Sequence, residues 1–129
     1  MRILGVAGLA HDAAVAVVID GRLVFAVENE RVTRRKGEWT FPTAGIELAL
    51  RRCDLKHSDI DLICFYWDDA GNLIKALKNE AKNVPRFGAS VLPRMRSRIS
   101  AASSNREVVE TLRAIWPCAL PRVEFIDHH

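Results

Sequence analysis

Two apolar runs rich in Val, residues 13–19 and 23–27, stand on either side of Asp20-Gly21. Such a pair suits a type I′ turn, in which both central residues need positive φ: Asp tolerates that conformation and Gly adopts it freely. The pattern predicts an antiparallel hairpin with little slack in its register. Just before it, residues 2–8 form a short apolar, glycine-bounded run, which reads as a buried strand ending in a loop. Three strands thus follow one another at the start of the chain, and the rest must pack on the sheet they make.

The remaining elements follow from periodicity. After Phe41-Pro42, the residues Ile46, Ala49, Leu50 and Cys53 recur at helical spacing. Residues 62–67 are densely apolar and aromatic and predict a strand, with Ser58, Asp59 and Asp61 in the turn before it and Asp68 and Asp69 at its end. A second helical stripe holds Leu73, Ile74, Leu77 and Ala81, and Pro85, Gly88 and Pro93 break any regular continuation of it. Ser104-Asn105-Arg106-Glu107 has the form of a capping box, and Val108, Leu112 and Ile115 continue on one helix face. Pro117 and Pro121 end that helix, and residues 122–126 read as a last strand leading into Asp127, His128 and His129. Three strands followed by helix, strand, helix or two, and strand imply an α/β fold: a mixed sheet with helices packed on it. With 129 residues, 49% hydrophobic and 27% charged, the chain has the composition of one globular domain. A domain of this size buries roughly two thirds of its unfolded surface, so it needs neither disulfides nor a structural metal for stability.

Charge and cysteine usage narrow the functional classes. The balance of 19 Lys and Arg against 16 Asp and Glu, a net +3, is too mild to argue for nucleic acid. Arg31, Arg34, Arg35 and Lys36 form one basic cluster, and Arg86, Arg94, Arg96, Arg98 and Arg106 a looser second one. Either is a solvated face or a meeting point for phosphate or an acidic partner. Cys53, Cys64 and Cys118 are far apart and form no close pair, as expected of reduced thiols in a cytoplasmic protein. No apolar stretch is long enough for a signal peptide or a membrane span.

Three segments could carry chemistry. The stretch 5–14, Gly-Val-Ala-Gly-Leu-Ala-His-Asp-Ala-Ala, joins the first two strands. Its small residues would let backbone amides approach a phosphate, with His11 and Asp12 as a base and its carboxylate neighbour; the plain alternative is a tight turn. Glu28-Asn29-Glu30-Arg31 and Thr33-Arg34-Arg35-Lys36 make either a surface hairpin end with paired charges or a basic loop over an anionic substrate. Asp127-His128-His129 ends a strand, where imidazoles are well placed to hold a divalent metal. Adjacent side chains of a strand point to opposite faces, so both His would not easily bind one ion. A tag remnant or frayed end is the competing account.

Taken together, Met1-Arg2-Ile3-Leu4-Gly5, His11-Asp12-Ala13-Ala14, Asp20-Gly21, Glu30-Arg31, Thr33-Arg34-Arg35-Lys36, Phe41-Pro42 and Asp59-Ile60-Asp61 resemble the opening of the O-carbamoyltransferases that modify antibiotics and nodulation factors. The resemblance implies a ribonuclease H-like half-domain of the sugar kinase, heat-shock ATPase and actin superfamily, spanning residues 1–129 as one subdomain. It also implies carbamoyl transfer from carbamoyl-adenylate, made in a downstream domain from carbamoyl phosphate and ATP, to a hydroxyl of a small-molecule or glycan acceptor. His11 would be the general base and Asp12 its orienting partner, while Gly8, Ala13, Arg31 and Arg34 would hold the adenylate. His128 would be the first ligand of a divalent metal, iron, in a motif His-His-x-x-His-Ala that the chain leaves at His129. On this reading the chain is incomplete at its carboxyl end and inactive alone, and its missing half or a second copy is its partner. Rival readings are a nucleotide-binding regulatory module, a structural fragment exposing an apolar sheet surface, and a relative of the sugar or acetate kinases. Those kinases use a glycine-rich phosphate loop and a catalytic carboxylate and need neither His11-Asp12 nor a terminal His pair.

Overall fold

A computed structural model describes residues 1–8, 13–36, 40–66 and 103–126. Their elements, in chain order, are β1 (Arg2–Ala7), β2 (Ala14–Ile19), β3 (Arg22–Glu28), α1 (Asn29–Thr33), α2 (Thr43–Arg52), a 3₁₀ turn (His57–Asp59), β4 (Leu62–Phe65), α3 (Ser103–Ile115) and β5 (Arg122–Phe125). The strands form one sheet in the order β3-β2-β1-β4-β5. The first three pair antiparallel, while β4 runs parallel to β1 and β5 parallel to β4. Among the described residues this is the α/β order expected from the sequence: three antiparallel strands, then helix, strand, helix, strand in one mixed sheet.

The hairpin forms for the expected reason. Asp20 has φ 49° and Gly21 φ 79°, the two positive values a type I′ turn requires. Further along, the pairing of β2 with β3 shifts between Val17 and Val18, a bulge that adds twist to the edge of the sheet.

Both long helices lie on one face. From β3 the chain passes by way of α1 and α2 to β4, and from β4 by way of α3 to β5, stepping across the sheet in one direction each time. Right-handed crossovers that step the same way put their helices on the same side. Accordingly Ile46, Ala49 and Leu50 of α2 and Val108 and Leu112 of α3 share one core with Leu4, Val6, Val15, Val17, Ile63 and Phe65. Alternation along the strands turns Gly5, Ala7, Ala14, Ala16 and Cys64 to the opposite face. Trp116, just past α3, is buried against the same core and stands edge-on to His57, with ring centroids 4.7 Å apart.

Several local readings change. Residues 29–33, expected as a polar loop or hairpin end, form the helical turn α1, so the first basic cluster begins on a helix. α3 starts at Ser103, one residue before the predicted cap. Asp59 and Asp61 are structural acceptors: Asp59 Oδ2 takes the Lys56 N–H at 2.8 Å, and Asp61 Oδ2 takes the Arg2 N–H at 2.6 Å. The stripe of Leu73, Ile74, Leu77 and Ala81, the breaks at Pro85, Gly88 and Pro93, and Trp67, Asp68 and Asp69 lie outside the described residues. Among the described residues no helix is long and apolar enough to cross a membrane.

Candidate functional site

β1, β3, β4 and β5 all run in the same direction, so their carboxyl ends share one edge of the sheet. Register makes this concrete. Ala7 pairs with Ala14 and Ala14 with Glu28, while Val6 pairs with Phe65 and Phe65 with Phe125. Gly8, Ala13, Arg31, Arg34 and the residues after Phe125 therefore start from neighbouring positions, at the edge where open α/β sheets gather ligands.

Gly8 and Ala13 bracket residues 9–12. A Cβ on Gly8 would sit 2.7 Å from Pro42 Cδ, so the absence of a side chain is first of all what lets β1 end against the start of α2. Ala13 is buried, and its carbonyl accepts the Asn29 N–H at 2.7 Å. Asn29 is itself buried, at 3% exposure, and its Oδ1 accepts the Gly45 N–H at 3.0 Å. Gly45 is the third residue of α2, one of the first-turn positions whose amides have no partner inside the helix. Pro42 occupies the cap position and offers no side-chain acceptor, so Asn29 caps α2 from 16 residues upstream. A Cβ on Gly45 would come within 3.1 Å of Val15 Cγ2 and 3.3 Å of Asn29 Oδ1. The sequence reading placed Asn29 in a run of surface charges and missed this role. The available signal was indirect, a helix introduced by proline and lacking a local cap.

Arg31 is exposed, and its Nε donates to Glu28 Oε2 at 3.1 Å. Arg34 follows α1 in the left-handed region, with φ 58° and ψ 25°, and its N–H donates to the Glu30 carbonyl at 2.8 Å. Its side chain is exposed beside the same sheet edge. His11, Asp12 and His128 lie outside the described residues, as do Asp127 and His129. Among the described residues, no group of three or more His, Cys, Asp and Glu could hold a metal ion.

A hollow of about 610 Å³ lies on the sheet face opposite α2 and α3. Its floor is a row of small residues in register across four strands: Ala26, Ala16, Gly5 and Cys64. Tyr66 and Ile126 line it as well, and Glu28 and Arg31 bring it toward the candidate edge. Burial pushes the Cys64 thiol pKa up, and the charge of Glu124 adds to this, so the residue packs as a neutral thiol. Cys53 is raised by burial alone.

The family described as "Carbamoyltransferase N-terminus" matches residues 2–113. An uncharacterised protein of Synechocystis sp., sll1178, is 31% identical over 131 residues, covering 98% of this chain and 21% of that protein. The nodulation protein NolNO of Sinorhizobium fredii is 38% identical over 60 residues, 46% of this chain and 9% of its own length. An uncharacterised 19.2 kDa protein of Rhizobium etli is 33% identical over 88 residues, 67% of this chain and 52% of its own length. Among solved structures, YeaZ from Pseudomonas aeruginosa superposes with a TM-score of 0.44 at 13% identity, over 98% of this chain and 45% of that one. The chain thus spans from about a tenth to about half of the length of the curated relatives it matches. With the family match running over residues 2–113, the chain belongs to the carbamoyltransferase N-terminal family.

Proposed function

We propose that this chain supplies the adenylate-facing edge of an O-carbamoyltransferase acting on a hydroxyl of a small-molecule or glycan acceptor. The observation that carries the reading is the register: it brings Gly8, Ala13, Arg31 and Arg34 to the one sheet edge from which residues 9–12 also depart. In this reading the carbamoyl group arrives on adenylate, made from carbamoyl phosphate and ATP outside the matched region. His11 takes the proton of the acceptor hydroxyl while that oxygen forms a bond to the carbamoyl carbon. The bond from carbamoyl carbon to phosphate oxygen breaks, and AMP leaves with the electron pair. A neutral imidazole suits this step because an alcohol of high pKa attacks an activated carbonyl faster as its proton is removed. Asp12 orients the ring, and backbone amides near Gly8 and Ala13 face the phosphate. Arg31 and Arg34 offset its charge with guanidinium donors. A divalent metal, iron in the resembling enzymes, would take His128 as one ligand. A metal site needs a full and oriented set of donors, so His128 would need further ligands beyond the described residues to hold the ion.

The test is calorimetric titration of the purified 129-residue chain with ATP and with a non-hydrolysable carbamoyl-adenylate analogue, with and without ferrous ion, beside His11→Ala. Saturable binding that weakens at least about tenfold in the variant is the expected result. Absence of binding under every condition would remove the adenylate edge and leave a structural role. The hollow opposite the helices favours that second reading, in which an apolar sheet face is covered by further polypeptide or by a second copy.

A further inference from the structure

The sheet face turned away from α2 and α3 carries a ridge as well as a hollow. Leu23 pairs with Val18, Val18 with Ile3 and Ile3 with Leu62, so these four side chains stand side by side on one face across four strands. Their chain neighbours Leu4, Val17 and Ile63 point the other way, into the helix-side core. Leu23 is 66% exposed, and Ile3, Val18 and Leu62 are half-buried. One pleat further along lies the row of small residues, Ala26, Ala16, Gly5 and Cys64, that floors the hollow.

Both rows have charged outer rims. Beyond the hollow stand Glu28, paired with Ala14, and Arg31, whose Nε donates to Glu28 Oε2 at 3.1 Å. Beyond the ridge stand the Met1 ammonium and Asp20, joined to each other at the hairpin turn. All four residues have side chains more than half exposed. Consider a second copy related by a two-fold axis that runs along the rows, between ridge and hollow. Each copy's ridge then comes over the other's row of small residues, and both contacts form at once because such an interface is isologous. The same rotation brings Arg31 toward Asp20 of the second copy, and Glu28 toward the second copy's terminal ammonium. Bulk meets hollow and cation meets anion in one arrangement.

We infer that this face is a self-association surface, covered by a second copy of the chain whose ridge of Leu23, Val18, Ile3 and Leu62 seats in the row of small residues. Four strands about 4.8 Å apart and six residues at about 3.3 Å each cover roughly 400 Å² per copy, or about 800 Å² for the pair, the size of a weak and reversible contact. The inference stands apart from the adenylate reading, since it needs no nucleotide and is decided by mass.

The experiment is sedimentation equilibrium of the 129-residue chain from about 5 to about 500 µM, the range in which a contact of this size associates. The mass should rise reversibly from 14.5 kDa toward twice that value and no further. Leu23→Lys, which alters an exposed residue and should leave the fold intact by circular dichroism, should weaken association at least about tenfold, because one leucine is lost from each side. Asp20→Lys and Arg31→Glu should each weaken it at least about threefold, and the two together should restore it to near the wild type, since the swapped charges again meet across the axis. A chain that stays monomeric at every concentration would overturn the inference and leave the face to another polypeptide. So would a mass that climbs past the dimer, a dimer indifferent to Leu23→Lys, or a double variant no tighter than the weaker single one.

Discussion

At the scale of single residues, the described part of the site is built from positions where the side chain and the backbone ask for different things. Arg34 sits in the left-handed region, which costs a residue with a Cβ about 1–2 kcal/mol compared with glycine. Holding an arginine there has a reason if the guanidinium is needed beside the sheet edge. Arg34→Gly should therefore stabilise the chain by a few tenths to about 1 kcal/mol, the relief being partly offset by the greater freedom of glycine when unfolded. In the same variant, ATP affinity should fall about tenfold, as expected for loss of one charge-assisted contact. Urea denaturation and calorimetry read the two effects separately. A variant that gains stability and binds ATP as the wild type does would take Arg34 out of the adenylate site. Asn29 shows the opposite economy of means: a polar group at 3% exposure is tolerated because its oxygen has a donor.

At the scale of elements, α2 and α3 do the same work by the same means. Each is amphipathic, with Ile46, Ala49 and Leu50 on one and Val108 and Leu112 on the other turned to the sheet. They differ in how they begin, α2 being held at its start by a distant asparagine. Leu112 is fully buried among strand and helix residues. Leu112→Ala should cost about 2–5 kcal/mol, from lost transfer energy plus the cavity left behind, and a shift of the urea midpoint without change of slope would show it. A loss below about 1 kcal/mol would mean that α3 is not seated on the core as described. The candidate edge would be the readout most sensitive to α2, since Pro42 and Gly45 belong to its first turn or the residue before it.

At the scale of the whole molecule, the sheet is covered by helices on one side, and the described residues leave a hollow on the other. The row Ala26, Ala16, Gly5 and Cys64 is flat and small, which lets another backbone come close. The state of that face in the isolated chain can be tested at Ala26, which is exposed. Ala26→Lys should change stability by less than about 0.5 kcal/mol if the face meets water, as for a surface substitution, and by roughly 2 kcal/mol or more if the face is covered. Sedimentation of both proteins, run alongside denaturation, shows whether any cover is a second copy, because the lysine would then shift the mass toward monomer.

The local chemistry of the chain determined the described strands and the two long helices, though not the turn α1. Asp20-Gly21 specified the hairpin because positive φ at two successive positions is a property of those two residues. The stripes 46, 49, 50 and 108, 112, 115 specified α2, α3 and their buried faces, because periodicity is carried by neighbours along the chain. The ordered set of motifs from Met1 to Asp61 also pointed to the family, and the match over residues 2–113 bears that out. What no local pattern held was the partnership of distant residues. Asn29 looked like one more polar residue in a charged run, and Gly8 like a phosphate-loop glycine, until α2 brought Gly45 to the first and Pro42 to the second. Asp61 looked like a turn residue until β4 came beside β1 and gave it the Arg2 N–H, 59 positions away. Strand order decided which loops share an edge. The physical reason is the same throughout: conformational preference is set within a few residues, whereas the partner of a buried polar group is set by packing.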